Sequence, residues 1–397
     1  MAVSITTMTT RTPRVRLDNV TTAATTYRPI YMSRDRTTVY ATTDAHILYK
    51  STDDGATFTA IYTDGNTATK VTACLELDDG RLLVATNIYV QNPRIYRSSL
   101  VGGGGTWTQM FMNSGVESQF HPFWGLTDAC FDGNGGLWLT EYGAQTTNSG
   151  SQTNKPVRIW RGNDDGSSFT LMFNLLDYAQ NVAGLTVPTQ TAGMHMHAVA
   201  YDKWADRVWF TMGDNVGAGP DIVAGGRNGT NAQIGYTDDN FTTVNWLPLP
   251  AYWGTTIEAL QVTSILPLEN AIIFSPDGVT NGVHVLPRRG YRMFGSLKVG
   301  SSNTANGGYR SLGQGLTRAW NRPDLPALAA IGMPQGSTES AALFAGLDGG
   351  LTWEELYRFS PGVVSVGGFV GPTVNGKVLA YFNDGAVKML KADLVIT

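Results

Sequence analysis

Along most of the chain, apolar and polar residues alternate in runs of five to eight, broken by Gly, Asp, Asn and Thr. "TVYATT", "HILYKS", "FTAIYT", "RLLVATN" and "GLWLTEY" are examples. A period of two is the signature of a strand with one buried and one wet face. The runs come in sets of four. Blade-like sets begin at "RPIYMS", "KVTACLEL", "GLTDACFD", "MHAVAYD", "ALQVTSILP", "PALAAIGMP" and "VVSVGGFVG". The last two sets each show three clear strands. Long repeats of small four-stranded sheets predict an all-β ring, a single propeller with seven four-stranded antiparallel blades. Six blades, with the last two sets merged, is the alternative. "RVRLDNV" near the N-terminus supplies the strand that completes the last blade. On this reading, residues 1–20 are an N-terminal arm with the ring-closing strand and residues 21–397 are the propeller.

The turns repeat as well. "YKSTDDGATFTAIYT", starting at Tyr49, holds Ser51, Asp53, Gly55, Thr57 and Phe58 at fixed spacing. An Asp carboxylate accepts backbone N–H groups in such a turn, and Gly supplies a positive φ. "GLDGGLTW" keeps Asp348, Gly350, Thr352 and Trp353, and "GNDDGSSF" keeps Asp164, Gly166 and Phe169. "YTDDNFTT" keeps Asp238, with Asn240 at the Gly position. This pattern resembles the Asp-box (BNR) repeat of the sialidase-like β-propellers. The segment holding Glu141, Tyr142, Asp164, Gly166, His195, His197, Trp209, Gly213 and Asp214 further resembles a group of Asp-box propellers of unassigned activity. The resemblance implies the fold and no particular reaction.

Sialidases use an arginine triad, a Tyr nucleophile paired with Glu, and an Asp. Here "YRPI" places Arg28 before Pro29 and Ile30, an order unlike the sialidase Arg-Ile-Pro. Arg288, Arg289, Arg310 and Arg318 are candidate later arginines, with Tyr291 or Tyr309 as nucleophile, and none sits in a matching motif. A glycoside hydrolase or lyase acting on surface polysaccharide remains the alternative function.

Composition narrows the partners. Charged residues make up 15% and the net charge is −4, against a usual charged fraction of about 25%. No basic run suits a nucleic-acid backbone, and no apolar run is long enough to span a bilayer as a helix. "MAVSITTMTTRTPRVRL" lacks the basic and apolar regions of a Sec signal and reads as a Thr-rich arm. Cys74 and Cys130 sit in apolar runs, as small buried side chains do.

The best candidate for chemistry is "GMHMHAVAYD". In a regular strand His195 and His197 share a face. With His121, Glu141 and Glu258 at comparable places in neighbouring blades, they form a candidate cluster in the central channel. Three readings stay open: histidines satisfied by backbone carbonyls, a divalent metal site held by His195 and His197, and a catalytic or ligand-binding role. No other cofactor is implied. Trp124, Tyr142, Trp253 and Trp320 are candidates for stacking on sugar rings or for packing between blades. The long connections "YGAQTTNSGSQTNK", "GDNVGAGPDIVAGGRNGTN" and "VGSSNTANGGYRSLGQGLTRAWNRPD" are polar and almost uncharged, which suits sugars or a protein neighbour. Together these features suggest a non-enzymatic bacteriophage virion protein, a minor tail or decoration propeller for glycan binding or docking. Its expected partners are other tail proteins and bacterial surface glycan, within an oligomeric assembly. Export by a non-Sec route is the alternative location.

Overall fold

The computed structural model describes residues 14–43, 45–88, 91–112, 118–119, 130–143, 158–181, 195–213, 233–247, 262–276, 284–289, 295–296, 322–331, 340–363 and 366–397. The strand pattern resolves into seven antiparallel sheets. Strand β1 (Val15–Ala24) comes first in the chain and belongs to the last sheet. Blade one is β2 (Arg28–Met32), β3 (Val39–Thr42), β4 (Ile47–Ser51) and β5 (Thr59–Thr63). Blade two is β6 (Thr69–Glu76), β7 (Arg81–Ile88), β8 (Gln91–Val101) and β9 (Trp107–Met112). Blade three is β10 (Ser118–Gln119), β11 (Gly136–Gly143), β12 (Arg158–Asn163) and β13 (Phe169–Asn174), followed by a short helix, α1 (Leu175–Asn181).

Blade four is β14 (His195–Asp202), β15 (Arg207–Gly213), β16 (Gln233–Thr237) and β17 (Asn245–Trp246). Blade five is β18 (Val262–Pro267), β19 (Ala271–Pro276), β20 (His284–Pro287) and β21 (Gly295–Ser296). Blade six holds β22 (Ala327–Ile331), β23 (Ala342–Leu347) and β24 (Thr352–Arg358). Blade seven is β25 (Val366–Val370), β26 (Lys377–Asn383) and β27 (Val387–Ile396), completed by β1. The fold is a seven-bladed β-propeller, which removes the six-blade alternative.

The registers sharpen two details of the strand reading. Residues 125–129 of "GLTDACFD" lie outside the described residues. Ser118 and Gln119 pair with Gly143 and Tyr142, and Phe131 makes only an isolated bridge to Leu137. In blade six the box turn joins β23 to β24, as it joins the third and fourth strands of blade one. The first described strand there is therefore the second of its blade. Residues 297–321, which precede it, lie outside the described residues.

Closure is made by the two ends of the chain. Val15 pairs with Ile396 and Ala24 with Lys388 along the whole of β1. Arg14 extends the clasp into blade six. Its guanidinium reaches Asp348 at 3.2 Å and Glu354 at 3.3 Å, and Thr397 N–H donates to its carbonyl at 2.9 Å.

The turn after β4 explains the repeated motif. Ser51 Oγ donates to Asp53 Oδ1 at 2.7 Å and accepts Gly55 N–H at 2.8 Å. Asp53 accepts the N–H groups of Ala56 and Thr57 at 3.0 and 2.9 Å and the Thr57 hydroxyl at 2.6 Å. These bonds, the Thr57 hydroxyl foremost, hold the Asp53 carboxyl well below the usual carboxylate range. Gly55 has φ of +76°, and a Cβ there would sit 2.3 Å from Leu379 of blade seven. Both the conformation and the contact exclude a side chain. In blade six Thr352 donates to Asp348 at 2.8 Å. Gly346 takes the place of Ser51 there, because a Cβ would lie 2.8 Å from the Trp353 ring.

Two box assignments shift. In blade four the working residues are Thr237 and Asp239, not Asp238. Thr237 Oγ1 donates to Asp239 at 2.8 Å and accepts Phe241 N–H at 2.9 Å, and Asp239 accepts Thr243 N–H at 2.8 Å. Phe241, with φ of +67°, occupies the glycine place. Its ring stacks on Phe173 at 5.2 Å and lies 5.8 Å from Trp138 of blade three. Packing of that ring offsets a left-handed conformation that Phe otherwise avoids. Asp238 instead pairs with Arg207 at 2.6 Å. In blade three the turn amides go to Asn163, whose Oδ1 accepts Ser167 and Ser168 N–H at 2.8 and 3.0 Å, rather than to Asp164.

The blade-four register gives a direct test. Asp239→Ala lowers the melting temperature clearly. Asp238→Ala, which removes only a surface ion pair, lowers it less. Thermal unfolding followed by circular dichroism ranks the two, and the reverse order contradicts the register.

Candidate functional site

Strand direction gives the ring two distinct faces. The turns from first to second strand and from third to fourth strand share one edge of every blade, here the turn face. The connections from second to third strand, and from one blade to the next, leave the opposite edge, here the loop face. Three long polar connections attach at strand ends on the loop face: 144–157 follows β11, 214–232 follows β15, and 248–261 follows β17. Loops on a rigid scaffold are where ligand binding concentrates.

The alternation that put His195 and His197 on one face is interrupted. In β14 the register shifts between Met196 and Ala198, so His197 is an extra, bulged residue. A bulge breaks the period of two, and His195 and His197 do not share a face by simple alternation. The same shift recurs in four other first strands, leaving Ile30, Thr72, Thr263 and Gly367 as the extra residues. Thr72 and Thr263 each donate across to the second strand, to Ala85 O and Ser275 O at 3.2 Å.

His197 is buried, and its Nδ1 donates to Val262 O of blade five at 3.0 Å. Thr211 Oγ1 donates to the same carbonyl at 2.7 Å. His197 thus joins blade four to blade five. Glu141 is fully buried. It accepts Trp160 Nε1–H at 3.0 Å and faces Arg158 Nη1 at 3.7 Å. These are contacts within blade three.

His121, Glu258, Trp124, Trp253 and Trp320 lie outside the described residues, as do the side chains of His195 and Tyr142. Among the described residues, no group of three or more His, Cys, Asp or Glu side chains is arranged to hold a metal. Arg28 and Arg288 do not join one site. Arg28 opens β2 at the loop face, whereas Arg288 follows β20 at the turn face and grips Asp202 at 2.6 Å.

Sequence reasoning missed a second polar feature of the loop face, over blades one to three. Asp64 is buried, with Tyr62 Oη donating to it at 3.0 Å and Asn66 N–H at 2.9 Å. Burial pushes the Tyr62 hydroxyl well above its ordinary range. Tyr62 packs against Trp107 at 5.0 Å and Tyr96 at 5.5 Å. At nearby strand ends, Thr42 Oγ1, Thr69 Oγ1, Arg94 Nε and Arg158 Nε are buried without a hydrogen-bond partner among the described residues. Such groups are costly unless something satisfies them. Their types are ordinary for strand ends, so no motif marks them.

Comparison with known proteins adds the fold and no more. No protein-family model matches the chain. No curated protein matches it in sequence. Among solved structures it is similar to a chain of the mitotic checkpoint complex, with TM-score 0.53, 9% identity and 100% of both chains covered. It is also similar to an oligogalacturonate lyase in complex with manganese, with TM-score 0.50, 13% identity, and 97% of this chain and 92% of that one covered. A prolyl endopeptidase gives TM-score 0.51 and 8% identity over 93% of this chain and 50% of its own. All are propeller likenesses at identities that carry fold alone.

The role assigned to Glu141 is measurable. Glu141→Ala leaves Arg158 half-buried without its carboxylate and costs about 3 kcal/mol. Glu141→Gln, which keeps an acceptor for Trp160, costs about 1 kcal/mol. Urea unfolding reads both, and a Glu141→Ala protein as stable as the parent contradicts a structural role.

Proposed function

We propose that the protein is a non-catalytic binding propeller whose loop face takes a bacterial surface polysaccharide, carried on a bacteriophage particle. The observation that carries this reading is the loop face itself. Long connections rich in Ser, Thr, Asn and Gly attach there, one of them, 144–157, next to Arg158, and at strand ends of the same face Thr42, Thr69, Arg94 and Arg158 hold buried polar atoms without a hydrogen-bond partner among the described residues. Hydroxyl-rich, uncharged ligands match such a surface, because each sugar hydroxyl both donates and accepts. Trp253 and Trp320 fall in chain segments that join blades and Trp124 in the segment between β10 and β11, and an aromatic face stacks on a pyranose ring.

The non-catalytic part rests on the described carboxylates and imidazole. Glu141 is bonded within blade three, Asp64 accepts the neighbouring Tyr62 hydroxyl, and His197 joins blade four to blade five. The low charge and Thr-rich N-terminal segment support a particle setting, and the Ser51–Asp53–Thr57 bonding of the turn after β4 supports an Asp-box relationship.

The test is a panel of bacterial cells and their extracted polysaccharides, with binding and released reducing sugar measured in the same samples. The expected result is binding without release. Trp253→Ala and Trp320→Ala then weaken it by about tenfold each, about 1.4 kcal/mol, with unchanged melting temperature. Release of reducing ends favours the hydrolase or lyase alternative instead. Absence of binding across the panel contradicts the glycan reading.

A further inference from the structure

The strand registers bring a set of buried polar side chains together between blades one and two, at the loop-face end of their contact. Cross-strand partners leave a sheet on the same side, as do alternate residues along a strand. In blade one Thr42 is paired with Leu48, and Leu48 with Tyr62. The Tyr62 ring packs against Tyr96 and Trp107 of blade two, so these side chains face that blade. In blade two Tyr96 is paired with Val84, and Arg94, two residues earlier, with Thr86. Thr86 is paired in turn with Val71, two residues after Thr69. Arg94, Thr86 and Thr69 therefore face blade one. Asp64, in the link between the blades, completes the set. It accepts the Tyr62 hydroxyl at 3.0 Å and the Thr86 hydroxyl at 3.5 Å.

This chamber has polar groups to spare. Thr42 and Thr69 are 0% and 1% exposed, and neither hydroxyl has a hydrogen-bond partner among the described residues. Arg94 Nε is buried without one as well. Val would fill either threonine site at no such cost, so a hydroxyl kept there calls for an occupant to bond it. The chamber is also balanced in charge. Among the described residues Asp64 has no cation in ion-pair reach and Arg94 no carboxylate. Beyond the effect of burial, the two act on the Tyr62 hydroxyl with opposite sign, Asp64 raising its pKa and Arg94 lowering it. Next to Asp64 the rim is open: Gly65 is exposed, and a Cβ there would meet nothing within 4 Å.

These groups define what fits. The occupant must donate to a carboxylate and accept from a guanidinium. A net charge of either sign on it meets a fixed charge of the same sign. Adjacent sugar hydroxyls satisfy all of this, because each carries one donor hydrogen and two acceptor lone pairs.

We propose that the chamber between blades one and two seats a hydroxyl pair of a neutral sugar, which donates to Asp64 and accepts from Arg94, Thr42 and Thr69. This rests on the glycan reading above and deepens it, since it places one sugar of the chain and makes that sugar uncharged.

Saturation-transfer NMR on the full chain tests it with glucose and galactose, their uronates and their amino sugars as probes. The expected result is transfer to a neutral sugar, with its charged counterparts about tenfold or more weaker. Asp64→Asn and Arg94→Gln should each weaken that sugar by about tenfold or more. Thr69→Val, which keeps the shape, should weaken it too. Gly65→Tyr crowds the rim and should block binding with the melting temperature unchanged, which keeps the test open if a buried variant unfolds. Transfer to none of the probes overturns the proposal, as does equal binding of uronate and neutral sugar. Thr69→Val with a raised melting temperature and unchanged sugar binding overturns it as well. Polysaccharide binding that survives all four substitutions overturns this seat and leaves the glycan reading intact. A neutral sugar bound here, with no polysaccharide bound by the parent, supports the seat and counts against that reading.

Discussion

The structure depends on one pairing, that of β1 with β27. A propeller blade is a sheet that buries its two faces against its neighbours, so an open ring leaves two blades each with a face in water. Here the ring is shut by strands from opposite ends of the chain. Asn19 Nδ2 donates to Asp393 at 2.8 Å and Thr21 Oγ1 to Lys391 O at 3.2 Å, contacts more than 360 residues apart in sequence. Such contacts carry a large ordering cost, and the stacked blades offset it only once the ring is complete. Arg14 spreads the clasp from blade seven to the box turn of blade six.

Within the ring, the box turns act as catches between blades. The Gly55 turn abuts Leu379 of the preceding blade, and the Gly350 turn abuts Leu268 and Ile273. Blade four replaces the close backbone contact with the Phe241 ring against Trp138. One geometric task, filling the step between adjacent sheets, is met by either backbone or ring. The result is a turn face tied by cross-blade hydrogen bonds, from Val374 N–H to Arg36 O and from Asn375 Nδ2 to Asp54, each at 2.9 Å.

The blades were legible because short apolar runs bounded by turn residues recur in sets, although "TVYATT" and "RLLVATN" prove to be buried on both faces rather than one. The Ser51–Phe58 turn was legible because its side-chain hydrogen bonds demand those residue types at those places. The blade-four turn was misread by one position. Thr237 does the work of Ser51, and Phe241 hides the glycine signal. The bulge at His197 left no trace in composition, since one extra residue changes the face without changing the pattern of types. The Arg288–Asp202 pair spans 86 positions and two blades, beyond any local reading. Of the cluster drawn from equivalent places in successive blades, His121, Glu258 and the His195 side chain lie outside the described residues, while His197 bonds to blade five and Glu141 within blade three.

The claim that closure governs the ring is tested most directly by native-state hydrogen exchange. The full chain is compared with a chain that begins at Thr25 and so lacks β1. The account predicts that protection falls in β27, across the whole of blade seven, and in the β24 edge of blade six that packs beside β1. Loss confined to the newly exposed amides of β27, with β25, β26 and β24 as protected as before, would contradict it.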